Sequence, residues 1–424
     1  MKIEEKAIEM MKDSFVCDNC LGRSIATLLS GYSNEQRGKI IRQYIAFLID
    51  SGEKVNAELS NFYGIKFRNV KIKLEKPDKC KLCKNFFFEK INETTKEIIK
   101  KFKEIEFKTF LIGSIVSDEL LKAEEEIWSR VGIEHCEPIK SEINRELGKR
   151  IEKLTDKKFE SKNPDITVIV DLNENKIRIE IRSLYVSGKY QKLVRGIPQS
   201  KWVCLRCHGK GCTYCKGEGK LYPTSVQEII DKPLLKATGS KKSKFSAHGR
   251  EDIDARCLDY RPFVLELIKP AKRKIDLKKI ENQINKSNKA KVKYLKISTR
   301  EAIKKLKFMK FDKTYLATVR FEKKIDKKKL KQLKGLVKEP ILQKTPLRVV
   351  HRRADKFRKR KVKKISWIVL GKKELQLKIK GETGLYIKEL ITGDEGRTKP
   401  NISEIINNKV KKISLDVIKI HSKG

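Results

Sequence analysis

No apolar run in this chain approaches the roughly 18 residues that cross a bilayer as a helix. The opening residues, "MKIEEKAIEMMKDSF", mix both charge signs where a signal peptide needs an apolar stretch. A membrane-spanning or exported protein is set aside on these grounds, and the chain is read as cytoplasmic. Negative charge is also too little to balance the positive. Asp and Glu number 55 against 100 Lys and Arg, a formal charge of +45 over 424 residues. A thermophile-like solvated surface would be nearer balance. An excess of this size points to phosphates, and to nucleic acid ahead of anionic lipid. Two further absences narrow the chemistry: there is no Gly-rich nucleotide loop after a strand, and no His-x-Glu paired with Pro-Cys-x-x-Cys. Nucleotide-dependent methyl transfer or thiolation and zinc-dependent deamination therefore lack their marks.

Ten cysteines are present, and in a cytosolic chain they argue for metal or catalysis over disulfides. Cys17-x-x-Cys20 with Cys80-x-x-Cys83 offers four thiolates as two knuckles, the pattern of a tetrahedral zinc site. The gap between the pairs is long, and two unrelated reduced pairs remain the alternative. Cys204, Cys207, Cys212 and Cys215 form a tighter set with glycines that let the backbone turn around a metal. Four closed Cys ligands leave no open position, so zinc there is structural. Cys204 to His208 also fits the C-x-x-C-H haem-attachment pattern, but haem would leave Cys212 and Cys215 unexplained. The glycine spacing echoes the knuckles of DnaJ-type chaperones, which repeat the motif where this chain has it once. Cys136 and Cys257 stand alone as small buried residues.

The length predicts two or three domains. Helices are expected through residue 55 or so, a strand at "NVKIKLEK", a strand at "FKTFLIGSIV", helices at "DELLKAEEEIWSRV" and "SEINRELGKRIEKL", and an Asn-turned hairpin within "DITVIVDLNENKIRIEIRSLYVSGKY". We place an accessory domain at 1–203, a knuckle linker at 204–220, and a catalytic domain at 221–424. In the last, helices and strands alternate without a Rossmann fingerprint, and "TPLRVVHRRADKFRKRKVKKISWIVL" reads as strand-like. The fold class is α+β.

Two stretches stand out there. "FSAHGREDIDARCLDYRPF", residues 245–263, concentrates four acidic side chains and three arginines in an otherwise basic chain. One reading is a salt-bridged turn; the other is a carboxylate held by arginine to act on a polyanion. His248 reads as a hydrogen-bonded loop histidine outside the chemistry. The second stretch runs from Arg348 to Lys364 with Val349, Phe357 and Val362 interleaved, which suits a phosphate-tracking strip using Arg348, Arg352, Arg353 and Arg358.

Gly249-Arg250-Glu251-Asp252 fits the Gly-Arg-x-Asp signature around the catalytic aspartate of several pseudouridine synthase families. Together with "KTYLATVRF", "QKTPLRVVHRR", "TGLYIKELITGDEGRTKPNISEI" and Arg261-Pro262-Phe263, it resembles the archaeal branch of the Pus-ten family of tRNA pseudouridine synthases over most of residues 221–424. "CDNCLGR" and "LYVSGKYQKLVRGIPQ" are similar to that family's zinc-clamped accessory region, with a THUMP-like segment at about 60–190. Where the family usually has a glycine pair before Arg-Pro-Phe, this chain has Leu258-Asp259-Tyr260. The resemblance implies a pseudouridine-synthase-like mixed-sheet catalytic domain, and Asp252 as the catalytic carboxylate with Asp254 as the fallback. It implies Tyr315 stacking on the extruded uracil and helping to remove its proton, Lys388 paired with Asp252, Tyr386 lining the pocket, and Arg250 orienting the nucleotide's phosphate. The implied substrate is tRNA, at uridines 54 and 55 of the T-loop. No cofactor is expected for the isomerisation, with two structural zinc ions beside it. The competing reading is a non-catalytic zinc-containing tRNA-binding protein or chaperone.

Overall fold

The structure is a computed structural model that describes residues 1–352 and 354–421, with the backbone alone for Arg352. The chain divides into two compact units, Met1–Arg182 and Ser183–Gly424.

The first unit holds β1 (Thr109–Ile115), β2 (Lys158–Phe159), β3 (Ile166–Asp171) and β4 (Lys176–Ile181) in the sheet order β2-β1-β3-β4. The hairpin β3–β4 closes at Asp171↔Lys176, with Asn175 in the left-handed region that such a turn needs. The helix Ile139–Leu154 buries Ile139, Ile143, Leu147 and Ile151, one residue per turn on one face. Helix Asp118–Val131 starts at Ser117, whose hydroxyl accepts from Leu120 N–H. The expected strand at "NVKIKLEK" does not form. Val70, Ile72 and Leu74 do alternate inward against the core, but no neighbouring strand supplies a ladder, and alternation without a partner leaves an extended segment.

The second unit contains β5 (Leu184–Lys192), β6 (Lys242–Ala247), β7 (Arg256–Ile268), β8 (Ala290–Ser298), β9 (Asp312–Phe321), β10 (Ile341–Gln343), β11 (Arg358–Arg360), β12 (Val362–Gly371), β13 (Glu374–Gly381), β14 (Thr398–Lys399) and β15 (Val410–His421). Its main sheet is mixed and runs β12-β13-β9-β15-β7-β5-β8, with β6 on the far part of β7. Among the described residues, the strands of the two halves pair where β15 runs parallel to the start of β7, at Asp416↔Arg256 and Val417↔Cys257. Each half has its own core, and a small cluster of Cys257, Val417 and Ile420 lies at the seam.

Two expectations change here. The run "LYVSGKYQK" is β5, which pairs with β7 and β8 in the second unit, so the chain divides at 182/183 and not at 203. The stretch from 345 to 357 is not a strand: Leu347–Arg352 is a 3₁₀ turn, and only β11 and β12 are extended.

Candidate active site

The acidic stretch lies at the seam of the sheet, between β6 and β7. Gly249 has φ +74°, and a Cβ there would stand 3.0 Å from Arg261 Nη1 and 3.3 Å from Lys313 Nζ; the loop turns here because a glycine can. Beneath it, Glu251 is buried, ion-paired with buried Arg261 at 3.1 Å, and accepts from the Tyr190 hydroxyl at 3.0 Å. Three consecutive carbonyls of the loop are bound from the segment that ends and follows β5. Lys192 Nζ donates to Asp252 O and Ile253 O, both at 3.0 Å, Gly196 N–H donates to Ile253 O at 2.9 Å, and Arg195 donates to Asp254 O at 2.7 Å. Lys192 is fully buried, and burial pulls its pKa down against the acids around it.

This scaffold presents Asp252 to a cavity of about 580 Å³, lined among others by Tyr315, Lys313, Tyr386, Lys388, Arg348 and Trp202. Asp252 lies between two cations: Arg348 Nη1 donates to Oδ1 at 2.7 Å, and Lys388 Nζ is 3.3 Å from Oδ2. Arg348 is itself braced by the buried Glu389 at 2.6 Å. Lys388 also reaches both oxygens of Asp254 at 2.8 Å. Burial raises the Asp254 carboxyl, but the Lys388 bond and charge outweigh it and the net shift is downward. The Asp254 side chain is 61% exposed against 30% for Asp252, so Asp252 is the more enclosed of the two.

Tyr315 lies on β9 opposite Val417 of β15. Burial pushes its phenol up to about 12, so it remains a protonated ring at neutral pH, suited to stacking and to donating, and not to taking a proton as phenolate. Lys313, two residues earlier on the same face of β9, is 7% exposed, and its amine has no hydrogen-bond or ion-pair partner among the described residues. Burial, reinforced by Arg261, lowers it to about 8. Tyr386 is pinned through its backbone, its N–H to Gln343 Oε1 and its carbonyl to Gln343 Nε2, each at 2.9 Å. The Arg250 guanidinium is 5.2 Å from the ring centre of Trp202. His248 is buried, with Nδ1 3.3 Å from Leu306 O and its ring against Phe311. Burial lowers its pKa, which favours the neutral imidazole.

Asp252, Tyr315, Tyr386, Lys388 and Arg250 thus line one cavity. Arg348, expected on a phosphate strip, is instead turned to Asp252 and Glu389. Arg358 donates to Thr345 Oγ1 at 2.9 Å; the Arg352 side chain and Arg353 lie outside the described residues. Glu251, Arg261, Lys192, Lys313 and Glu389 were missed. All five fall within quoted stretches, but only Lys313 left a positional signal, since in "KTYLA" it shares a strand face with Tyr315.

Both cysteine sets close into clusters whose four sulfurs all lie within 4.8 Å of one another. Cys17 and Cys83 sulfurs are 3.5 Å apart, and Cys204–Cys212, Cys207–Cys215 and Cys212–Cys215 are 3.7 to 3.9 Å. A tetrahedron with Zn–S bonds of about 2.3 Å has edges of about 3.8 Å, so the donor sets fit zinc. Backbone N–H groups of Gly211, Cys212 and Gly219 point at the sulfurs of Cys207 and Cys215 at 3.2 to 3.3 Å, the solvation a thiolate ligand needs.

A family model described as Pus10, C-terminal, matches residues 185–421, and one described as Pus10 THUMP domain, archaeal, matches residues 94–171. The tRNA pseudouridine synthase Pus10 of Methanopyrus kandleri is 40% identical to this chain, with 98% of each covered. That of Methanocaldococcus jannaschii is 40% identical, over 97% of this chain and 93% of its own. Among solved structures, a chain of a Cbf5-Nop10-Gar1 complex is 14% identical with a TM-score of 0.28, covering 54% of this chain and 47% of that one, too loose a likeness to argue from. The class is that of the pseudouridine synthases, which are isomerases. Within it, the chain belongs to the Pus10 family. Among the described residues no helix is long and apolar enough to cross a membrane.

Proposed function

We propose that this chain isomerises T-loop uridines of tRNA, positions 54 and 55, to pseudouridine in the cytoplasm, with Asp252 as the reacting carboxylate. The observation that carries the reading is the placement of Asp252 on a stapled loop between Arg348 and Lys388, facing a cavity that also holds Tyr315. The reaction breaks a glycosidic bond, turns the uracil and rejoins it through carbon, with no net redox change and no group gained. It needs a carboxylate aimed at the nucleoside and a site that holds the base while it is detached. A uridine flipped from a loop costs less than one flipped from a duplex. In the cavity, the Tyr315 ring offers the base a face, Tyr386 a wall, and Arg250 and Lys313 offer positive charge to the nucleotide's phosphate. The two cysteine clusters, each closed by four sulfurs, would hold zinc as structure and leave it no position for substrate.

The test is Asp252→Asn, which keeps size and hydrogen bonding and removes the charge. Single-turnover pseudouridine formation on an unmodified tRNA transcript, without cofactor, should fall by several powers of ten. Affinity for tRNA, set mainly by phosphate contacts elsewhere, should change little. Asp254→Asn should act more mildly. An active Asp252→Asn beside a dead Asp254→Asn would move the chemistry to the other aspartate. Activity in both would leave this loop a salt-bridged turn.

A further inference from the structure

The knuckle formed by Cys204, Cys207, Cys212 and Cys215 rises from the rim of the cavity. Its stem begins at Trp202 and Tyr222, whose rings meet edge to face at 5.5 Å. Leu221 N–H donates to Trp202 O at 2.9 Å, and Val203 and Lys220 form a bridge just above. Trp202 lines the cavity with Asp252. The first sulfur ligand is therefore two residues from the site wall.

We propose that the outer face of this knuckle is an RNA platform, on which Tyr214 stacks an unpaired base of the tRNA adjoining the uridine held in the cavity. Three observations lead there. First, a knuckle this small has little apolar surface to spare, yet it leaves Leu205 80%, Tyr214 55% and Val203 42% exposed. Three large exposed apolar side chains within twelve residues are more than the knuckle's own packing uses, and such surface is what an interaction site offers. Second, the Arg206 guanidinium carbon lies 4.0 Å from the centre of the Tyr214 ring. A ring backed by a cation and still 55% exposed is an arrangement that can receive a base without regard to its sequence. Third, Lys201, Arg206, Lys210 and Lys216 are exposed in and beside the knuckle, against Glu218 as the one acid between Trp202 and Leu221. That balance suits phosphates. A cation-backed ring on a knuckle whose stem residue Trp202 lines the cavity fits a nucleotide of the same RNA better than an acidic peptide.

The platform is also rigid. A Cβ on Gly211 would fall 2.6 Å from Gly217 O, so the two turns are packed backbone to backbone, and little freedom remains to be lost on binding.

The inference rests on the function proposed above, and its test separates the two. Full-length zinc-loaded protein is bound to tRNA transcripts carrying 2-aminopurine one nucleotide to either side of the target uridine. Wild type should quench the fluorescence at one of the two positions. Tyr214→Ala should abolish that quenching and raise the tRNA Kd about tenfold, a typical loss for one stacked base. Tyr214→Trp should restore both, and Arg206→Ala should weaken both, with the zinc content of all variants equal to wild type. If Tyr214→Ala loses zinc, the Arg206→Ala and Tyr214→Trp pair decides. Wild-type quenching at neither position, or quenching and Kd within twofold of wild type in the zinc-retaining variants, overturns the platform. Pseudouridine is mapped on the same wild-type samples. Its absence with quenching intact would fail the enzyme reading alone.

Discussion

Lys313 brings a positive charge into a cavity wall that already holds Arg261, without an acid of its own among the described residues. Its amine is lowered to about 8 by burial first and by Arg261 second, below the roughly 10.4 of an unfolded lysine. Between those two values the unfolded chain binds more protons than the folded one, so this residue makes stability rise with pH across that window. Below about 8 the folded state carries the full cost of the buried charge, up to about 3 kcal/mol. Lys313→Met should therefore stabilise the protein at pH 7, and its advantage should shrink to nearly nothing by pH 10.5. Urea denaturation of both proteins at pH 7, 8.5 and 10.5 measures this; an advantage independent of pH would show that the amine is not perturbed. At this scale the sequence was readable in part. Asp252 is marked by its Gly-Arg lead, and Lys388 by resemblance. The bond from Arg348 is not, because the two residues are 96 positions apart and no local pattern ties them.

The two cysteine clusters differ in how their elements enclose them. Cys17, Cys20, Cys80 and Cys83 are all buried in the core of the first unit, whereas Cys207 and Cys212 are partly exposed. Elemental analysis should find two zinc ions per chain. A coloured chelator should withdraw the second-unit ion quickly and the first-unit ion only as fast as that core opens. Cys212→Ser should abolish the fast phase and Cys80→Ser the slow one. A single ion per chain would remove one cluster from the metal sites, and one common release rate would refute the difference in enclosure. Among the other elements, the amphipathic helices and the β3–β4 hairpin were legible because period and turn chemistry are local. The strand expected at 69–76 was not decided locally, since a ladder needs a partner. β5 shows the same limit from the other side. Its alternation was visible, but its place beside β7 and β8, and the bonds from Lys192, Arg195 and Gly196 to the loop that carries Asp252, were not.

Over the whole molecule, the charge of +45 should make tRNA binding steeply salt-dependent. Log Kd should vary linearly with log salt, each neutralised phosphate contributing about 0.7 to 0.9 to the slope. Arg348 separates the two roles that basic residues take here. Because its guanidinium is engaged by Asp252 and Glu389, Arg348→Ala should leave the salt slope unchanged. It should lower single-turnover pseudouridine formation about 10- to 100-fold, the worth of one charge-assisted hydrogen bond. A slope lowered by about one would return Arg348 to the phosphates.

The sequence by itself determined what local covalent order can express: the Cys-x-x-Cys pairs, the Gly249 turn before Asp252, the helix faces, the hairpin, and an excess of charge that calls for a polyanion. Tertiary structure alone decided which half of the chain owns β5, that Lys388 is shared between Asp252 and Asp254, that Arg348 faces a carboxylate, and that the Lys313 amine forms no ion pair among the described residues. Each of these depends on the packing of residues far apart in the chain, as in the pair Lys388–Asp254, separated by 134 positions. Periodicity fixes the face on which a side chain stands. Only the closure of the sheet at the β7–β15 seam fixes what stands opposite it.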